Sequence, residues 1–519
     1  MKVARFVLAE RDRVEQFVDE LVDREHLVRD RPVSWTRVVF DTFDWRLHGH
    51  GSVLEHERAG ARGQLVWRDR DTGEVLGRFE LAEVPRFVWD LPPGPVTDRL
   101  AEVVEVRALL PLVTIEGTRT PLRLLDDESK TVARVVVDTA TVQGGDSLPP
   151  VVEVQPVRGY ERQARRLAGV LAAQVVLTPA TCDLAETALR SAGFVPGSYS
   201  SKLRVQLDPH GTALEAWVTV LRTLLATMEA NEAGVLDDLD SEFLHDYRVA
   251  VRRTRSVLGQ ARRVLPASVR DRFRVEFAWL GRETGPTRDF DVFLLEVPRF
   301  AARLPAERRP DLEPFRAFLE RRQRAAHEAL VEVLRSARYE AFLRDWRAFL
   351  DDPVVSPQEA PDAPRPATEV AADRIRRAYR RVVRDGRAIH DGSAPEELHE
   401  LRKDAKKLRY ALECYGSLFP AGEVAAVVKD LKGLQDVLGE YQDCQVQAGS
   451  LEHFAQEMLE EGTASAAVLI TLGYLVEQLD EREAAARRAF EERFARFDAP
   501  EAHARMRALL RSGTRPEAA

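Results

Sequence analysis

The chain has 519 residues, which is too many for a single hydrophobic core, so two or more domains are expected. Its net charge of −9 excludes a protein that is basic throughout, and an anion site must therefore be a local concentration of Lys and Arg. The three cysteines lack metal-binding spacing, and the first residues lack a signal-peptide pattern. Both features favour a cytoplasmic protein that does not insert into a membrane.

The first 200 residues carry the signals of an antiparallel α+β domain. Short runs rich in β-formers alternate with Gly, Pro and Asp clusters. These runs are 35–40, 64–67, 110–115, 132–138 and 151–154. Helical periodicity predicts helices at 10–24 and 160–171, and a Gly/Ser-rich linker follows at 196–201. We therefore place a first domain at residues 1–207.

The remainder of the chain is predicted to be helical and duplicated. Helical periodicity runs from about residue 212 to 510, with a proline-rich interruption at 351–367. The segment HDYRVAVRRTR at 245–255 returns as HELRKDAKKLR at 399–409, and the match continues without a gap to Val292 and Val446. Such a match predicts a second domain at 208–508 built from two repeats, at about 208–350 and 367–508.

Each copy of the motif places cations along one helical face. On a helical wheel, four residues of each copy share an arc of roughly 80°. They are His245, Arg248, Arg252 and Arg255 in the first copy, and His399, Arg402, Lys406 and Arg409 in the second. Neighbouring like charges destabilise a helix. A solvated charged face is one interpretation, but recurrence at fixed offsets favours a polyanion site, since Arg and Lys both suit phosphate.

Several neighbouring residues extend this interpretation. Lys429 and Lys432 are three residues apart on a later helix of the second repeat and could join the basic surface. Asp289 and Asp443 follow an apparent turn, which favours helix N-caps over a role in the site. Metal binding by the two motif histidines is not favoured, because arginine neighbours repel a cation. We therefore predict no metal and no cofactor.

These motifs resemble a known family. HDYRVAVRRTR followed by RDFDV, with a second HELRKDAKKLRY, is similar to the CHAD domain (conserved histidine α-helical domain) over residues 208–508. The resemblance implies two pseudo-symmetric four-helix bundles, a basic groove between them and non-catalytic binding of inorganic polyphosphate. The residues that it assigns to the ligand surface are His245, Arg248, Arg252, Arg253, Arg255, Arg288, His399, Arg402, Lys403, Lys406, Lys407 and Arg409, with Lys432 adjoining. Arg288 becomes Gln442 in the second repeat.

The first domain resembles a second family. VVFDTFDWRLHGHGSVLEHER at 38–58 is similar to the CYTH domain, a triphosphate-tunnel fold with an antiparallel barrel-like sheet. That family carries an acidic ExExK strand for divalent metal, whereas residues 3–8 have no carboxylate. Glu55 and Glu57 stand where phosphate-binding arginines belong, and Arg68 and Arg119 are candidates for a remaining basic lining. We therefore predict a degenerate domain without catalytic residues.

The sequence leads to three alternative hypotheses about function. The leading one is binding of inorganic polyphosphate by a cytoplasmic protein that associates with polyphosphate granules. The second is a metal-dependent triphosphatase or polyphosphate hydrolase that uses the CYTH-like domain. The third is binding of RNA or another polyanion, which is less favoured because the basic helices lack aromatic residues placed for base stacking. The sequence gives no signal for oligomeric state.

Overall fold

A computed structural model describes residues 3–59 and 62–512. The chain divides into two compact units, Met1–Ser201 and Lys202–Ala519. The first unit is built on an antiparallel sheet and the second is entirely helical, as the sequence predicts. Within the described ranges, no helix combines the length and apolar character needed to cross a bilayer.

In its described part, the first unit has ten strands. They are β1 (Ala4–Leu8), β2 (Val28–Arg29), β3 (Val33–Asp41), β4 (Ser52–Ala59), β5 (Arg62–Asp69), β6 (Val75–Glu80), β7 (Leu110–Leu125), β8 (Thr131–Val142), β9 (Val151–Pro156) and β10 (Leu177–Pro179). The strand order is β10-β1-β9-β8-β7-β3-β4-β5-β6, and β2 pairs with β7. The five predicted strand runs lie within β3, β5, β7, β8 and β9, which confirms them.

The sheet curls until its two ends meet. The Val3 amide donates a hydrogen bond to the Asp71 carbonyl (3.2 Å), and the Arg5 guanidinium donates to the Arg70 carbonyl (2.8 Å). Both acceptors belong to the turn after β5, so the start of the chain lies against the opposite end of the sheet. The result is the expected barrel-like fold.

Alternation along the strands separates a polar interior from an apolar exterior. On β8, Ala133, Val135 and Val137 belong to an apolar core, whereas Arg134 and Asp138 line a cavity inside the sheet. That core contains residues of two helices at the predicted places, α1 (Val14–Glu25) and α4 (Glu161–Ala172). The other helices of this unit are α2 (Arg46–Gly49), α3 (Pro95–Val104) and α5 (Leu184–Ser191).

In its described part, the second unit has eleven α-helices. They are α6 (Ala213–Leu236), α7 (Ser241–Gln260), α8 (Ala267–Glu283), α9 (Gly285–Arg303), α10 (Glu313–Leu334), α11 (Ala337–Asp351), α12 (Ala367–Ala388), α13 (Pro395–Tyr415), α14 (Ala421–Glu460), α15 (Ala466–Phe497) and α16 (Pro500–Ser512). Helices α12 and α13 each begin 154 residues after α6 and α7, which is the spacing of the sequence repeat.

The two repeats differ at one helix break. In the first repeat the helix breaks at Thr284, between α8 and α9. In the second repeat the equivalent segment is the single 40-residue helix α14. Asp289 therefore lies inside α9, and Asp443 lies near the middle of α14. The prediction that these aspartates are helix N-caps is wrong, because the residues before them continue a helix instead of forming a turn.

Helices from both repeats pack together in two groups of four. The hairpin α6–α7 packs against the hairpin α12–α13, and the rings of Trp217 and Tyr415 stack at 4.2 Å between them. Helices α9 and α10 share an apolar core with α14 and α15, including Phe293, Phe318 and Phe454. Each group thus combines equivalent helices of the two repeats. Residues at equivalent positions can meet across a pseudo-two-fold axis.

Candidate anion-binding cleft

A cleft of about 1190 Å³ opens between α7 and α8 of the first repeat and α12 and α13 of the second. Its lining includes ten cationic residues and two carboxylates, a surplus of eight positive charges. The cations are Arg252, Arg255, Arg262, Arg274, Arg374, Arg377, Arg381, Lys403, Lys406 and Lys407, and the carboxylates are Asp271 and Asp404. Such a surplus in a protein of net negative charge makes this cleft a strong local anion attractor.

Two equivalent cations lie close together at the centre of the cleft. Arg252 on α7 and Lys406 on α13 occupy the same position in the two repeats. Burial, and after it the charges of Arg402 and Arg252, together lower the pKa of Lys406 to about 8. Neither Arg252 nor Lys406 forms an ion pair with a described carboxylate, although the charge of Asp443, which is paired with Arg402, opposes part of the lowering of the Lys406 pKa. A bound anion would relieve this repulsion.

Helix α8 brings further cations to the same wall. The pKa of Arg255 is lowered by partial burial and then by the nearby charges of Arg282 and Arg274. A Cβ at Gly281 would lie 3.2 Å from the Arg255 Nη1 atom, so the glycine allows the guanidinium to approach α8 closely. The cations on this wall are therefore held near one another by backbone packing.

Helix α12 supplies cations that the motif analysis missed. Arg374 is buried and donates to the Arg262 carbonyl (2.6 Å) and to Asp362 (3.3 Å), which fixes the base of this wall. Arg377 and Arg381 follow it on the same helical face and line the cleft. The sequence could have indicated them, because Arg374, Arg377 and Arg381 have the same three-then-four spacing as the motif arginines.

The basic row of each motif divides between two environments. Arg252, Arg255 and Lys406 reach the cleft, but the preceding residues of the row do not line it. Arg248 donates to the Gly281 carbonyl (3.1 Å) and to Thr284 Oγ1 (2.8 Å), and burial lowers its pKa to about 10. A row of eleven helical residues extends about 15 Å, so its two ends meet different neighbours.

The basic residues of helix α13 are likewise divided between the cleft and its surroundings, and several of them pair with acidic residues. Arg402 donates to Asp443 Oδ1 at 2.7 Å, outside the cleft. Lys403 and Lys407 do line the cleft, where they pair with Glu400 (2.6 Å) and Asp404 (2.7 Å). Both of these pairs are half-exposed at the lysine, so an incoming anion can compete for them.

Two predicted ligands form a link between the repeats instead. Arg253 and Arg409 both donate to Glu413, each at 2.7 Å, and the guanidinium of Arg253 also lies 5.9 Å from the Tyr410 ring centre. Neither arginine lines the cleft. One carboxylate therefore balances part of their charge, and their place on the ligand surface stays a prediction.

The other predicted residues also lie outside the cleft lining. Arg288 donates to the Ser241 carbonyl (2.9 Å), and His399 Nδ1 donates to Gln442 Oε1 (2.5 Å). The remaining three are His245, which is half-buried, and the exposed Lys429 and Lys432. The positions equivalent to those two lysines, Val275 and Ala278, do line the cleft. The cationic surface is therefore not the same on the two sides of the axis.

The sheet unit has a separate cavity of about 640 Å³ with balanced charges. Its lining contains seven arginines and seven carboxylates. Glu57 contacts Arg37 (3.2 Å) and Arg68 (2.7 Å), since Arg37 and Glu57 are partners in the β3–β4 register. Further ion pairs in the lining join Arg119 with Asp138 (3.0 Å), Arg5 with Glu153 (2.9 Å) and Arg70 with Asp183 (3.0 Å).

This cavity does not fit the divalent metal that a CYTH resemblance implies. Five of its seven carboxylates contact guanidinium groups, which occupy oxygen atoms that a metal would need. Among the described residues, no group of three or more His, Cys, Asp or Glu side chains is arranged to hold a metal ion. Five of the seven arginines are likewise paired with these carboxylates, and the cavity has no charge surplus, in contrast to the helical cleft.

Comparisons with known proteins agree with the helical architecture. Residues 219–452 match the family model of the CHAD domain. This chain contains a CHAD domain. No curated protein matches the chain.

Solved structures with similarity to the chain fall into two groups. The CHAD domain from the plant Ricinus communis is 26% identical, with a TM-score of 0.48, and covers 57% of this chain and 96% of its own. PptA from Streptomyces chartreusis is 19% identical, with a TM-score of 0.41, and covers 55% and 99%. HpAC1 from Hippeastrum, a protein described as having a dominant triphosphatase activity, is 15% identical, with a TM-score of 0.28, and covers 38% and 100%.

Proposed function

We propose that this protein binds inorganic polyphosphate in the cleft between the two repeats of its CHAD domain. The observation that carries the proposal is the surplus of eight positive charges in one cleft, with Arg252 and Lys406 close together at its centre. Polyphosphate presents a charge on every unit and no apolar surface. It therefore matches a wall of guanidinium and ammonium groups.

The composition of the cleft favours polyphosphate over RNA. Tyr410 is the one aromatic residue among the described residues that line it, and the Arg253 guanidinium already lies near its ring. Single-stranded nucleic acids gain much of their affinity from bases stacked on aromatic side chains. A cleft with ten cations and a single, already contacted ring offers charge but little stacking.

Charge reversal at the centre of the cleft tests the proposal. We expect the double variant Arg252→Glu, Lys406→Glu to bind fluorescently labelled long-chain polyphosphate about 100-fold more weakly, because two charge-assisted contacts of about 1.5 kcal/mol each are lost. The matched control is Arg303→Glu, Arg324→Glu, which makes the same charge change at exposed positions of α9 and α10. Equal affinity of both variants and the original protein would refute the proposal. Competition by unlabelled RNA at equal charge should be weak.

We further propose that the sheet unit is not an enzyme. The pairing of Glu57, Asp138 and Glu153 with arginines supports this view, because a phosphoryl-transfer site needs carboxylates free to bind metal. Metal-dependent release of phosphate from tripolyphosphate, abolished by Glu153→Gln, would overturn it. We also propose a cytoplasmic location at polyphosphate granules, as the binding function would direct.

A further inference from the structure

The two sides of the pseudo-two-fold axis carry different charges. Duplication gives every cleft residue an equivalent 154 positions away, and apart from the pairs Arg252/Lys406 and Ser256/Tyr410 these equivalents lie outside the cleft lining. Arg377 and Arg381 on α12 correspond to Thr223 and Thr227 on α6. Both threonine hydroxyls donate to main-chain carbonyls of their own helix, at 2.9 and 3.0 Å, so neither replaces a guanidinium.

The same contrast holds on the helices that face α6 and α12. Lys403 in the cleft corresponds to Val249, and Arg274 in the cleft corresponds to Val428. Apart from the central pair, the cleft side has eight cations and two carboxylates. Four cations and one carboxylate occupy the equivalent positions opposite. The potential for a polyanion is therefore lower on that side.

A carboxylate also stands near the axis on the opposite side. Glu413 occupies the position that Gly259 holds in the cleft. It accepts hydrogen bonds from Arg253 and Arg409, each at 2.7 Å, and so satisfies two of the four opposite cations. The remaining two, Lys429 and Lys432, lie exposed on α14. Half of the cations on this side are therefore already engaged by an acid.

We infer that the CHAD domain binds a polyphosphate chain on one side of its axis: the chain crosses the central pair Arg252 and Lys406 and lies along α7, α8, α12 and α13. The inference rests on the proposed function and adds a single, one-sided path to it. One segment of about eight phosphate units would balance the charge surplus of this path. Each protein molecule then binds one segment, although the fold is duplicated.

Two matched charge reversals test the inference on the full chain. Arg274→Glu, Arg377→Glu changes exposed residues on the cleft side, and Lys429→Glu, Lys432→Glu makes the same change on the opposite side. All four positions are exposed, so both variants should retain their thermal unfolding temperature. We expect the first variant to bind long-chain polyphosphate about 100-fold more weakly, and the second to change by less than about threefold.

The outcomes separate this inference from the function on which it rests. A comparable loss of affinity in both variants would overturn the one-sided path but leave polyphosphate binding intact. Unchanged affinity in both variants and in Arg252→Glu, Lys406→Glu would overturn the proposed function itself. Titration with a chain of about eight phosphates should saturate at one chain per protein, whereas two chains per protein would also overturn the one-sided path.

Discussion

Polyphosphate binding to the cleft should depend steeply on salt. A polyanion that meets fixed cations releases its condensed counterions, so the logarithm of affinity falls linearly with the logarithm of salt concentration. For a single strand, the slope is about −0.7 for each charge neutralised. The cleft surplus of eight positive charges therefore predicts a slope of about −5.6. A rise from about 50 to 200 mM salt should then weaken binding about 2,000-fold.

Each cationic residue of the cleft should contribute its own share to this slope. Replacing Arg252 and Lys406 by Ala removes two of the contributing charges, so the slope should fall to about −4. The control Arg303→Ala, Arg324→Ala removes two exposed charges elsewhere and should leave the slope at its original value. Both effects can be measured by fluorescence anisotropy of labelled polyphosphate at five or more salt concentrations. A slope shallower than about −2, or equal slopes for the two variants, would refute the electrostatic reasoning.

Two other predictions concern pH and stability. Burial and neighbouring cations lower the pKa of Lys406 to about 8 in the free protein, whereas bound phosphate raises it. Affinity should therefore fall as pH rises above about 8. The variant Lys406→Arg keeps its charge at these pH values, so its affinity should fall less. If this variant had the same pH profile as the original protein, Lys406 would not be the titrating group. Separately, Glu413→Gln should lower the free energy of unfolding by about 1–2 kcal/mol, because Arg253 would keep its charge beside a neutral acceptor in a partly buried site. Urea denaturation would measure this. The control is Asp345→Asn, a half-buried carboxylate whose two arginine partners are exposed, and it should change stability by less than about 0.5 kcal/mol.

Periodicity predicted five of the ten described strands and two helices of the first unit, together with the helical character of the second unit. The runs of β-forming residues lie in strands, and the duplicated helical pattern corresponds to two helix pairs that begin 154 residues apart. Both signals arise from local chemistry: β-formers on a pleated surface, and good helix formers with an apolar stripe. The interruption at Thr284 was not predictable in this way, since the equivalent segment of the second repeat continues as a helix.

The site was harder to predict, because a helical wheel shows which side chains share a face of a helix but not which residues of other helices pack against that face. The wheel placed Arg248 beside Arg252 on one arc, yet Arg248 ends against the C-terminal end of α8. It could not show that Glu413 approaches Arg253 from another repeat, 160 residues away. Arg377 had the right spacing on its own helix, but recognising its role required knowing that α12 faces α7.

Packing of hairpins from both repeats explains why like charges can be concentrated here. A residue near a two-fold axis faces its own equivalent, so a cation at this motif position necessarily meets a second cation. The repulsion between Arg252 and Lys406 opposes folding, while the apolar contact of Trp217 with Tyr415 holds the same hairpins together. Since α7 and α8 come from one repeat and α12 and α13 from the other, neither repeat contains the cleft by itself. An anion that binds only the assembled cleft must therefore stabilise the packing between repeats, by an amount that grows with its concentration relative to its dissociation constant.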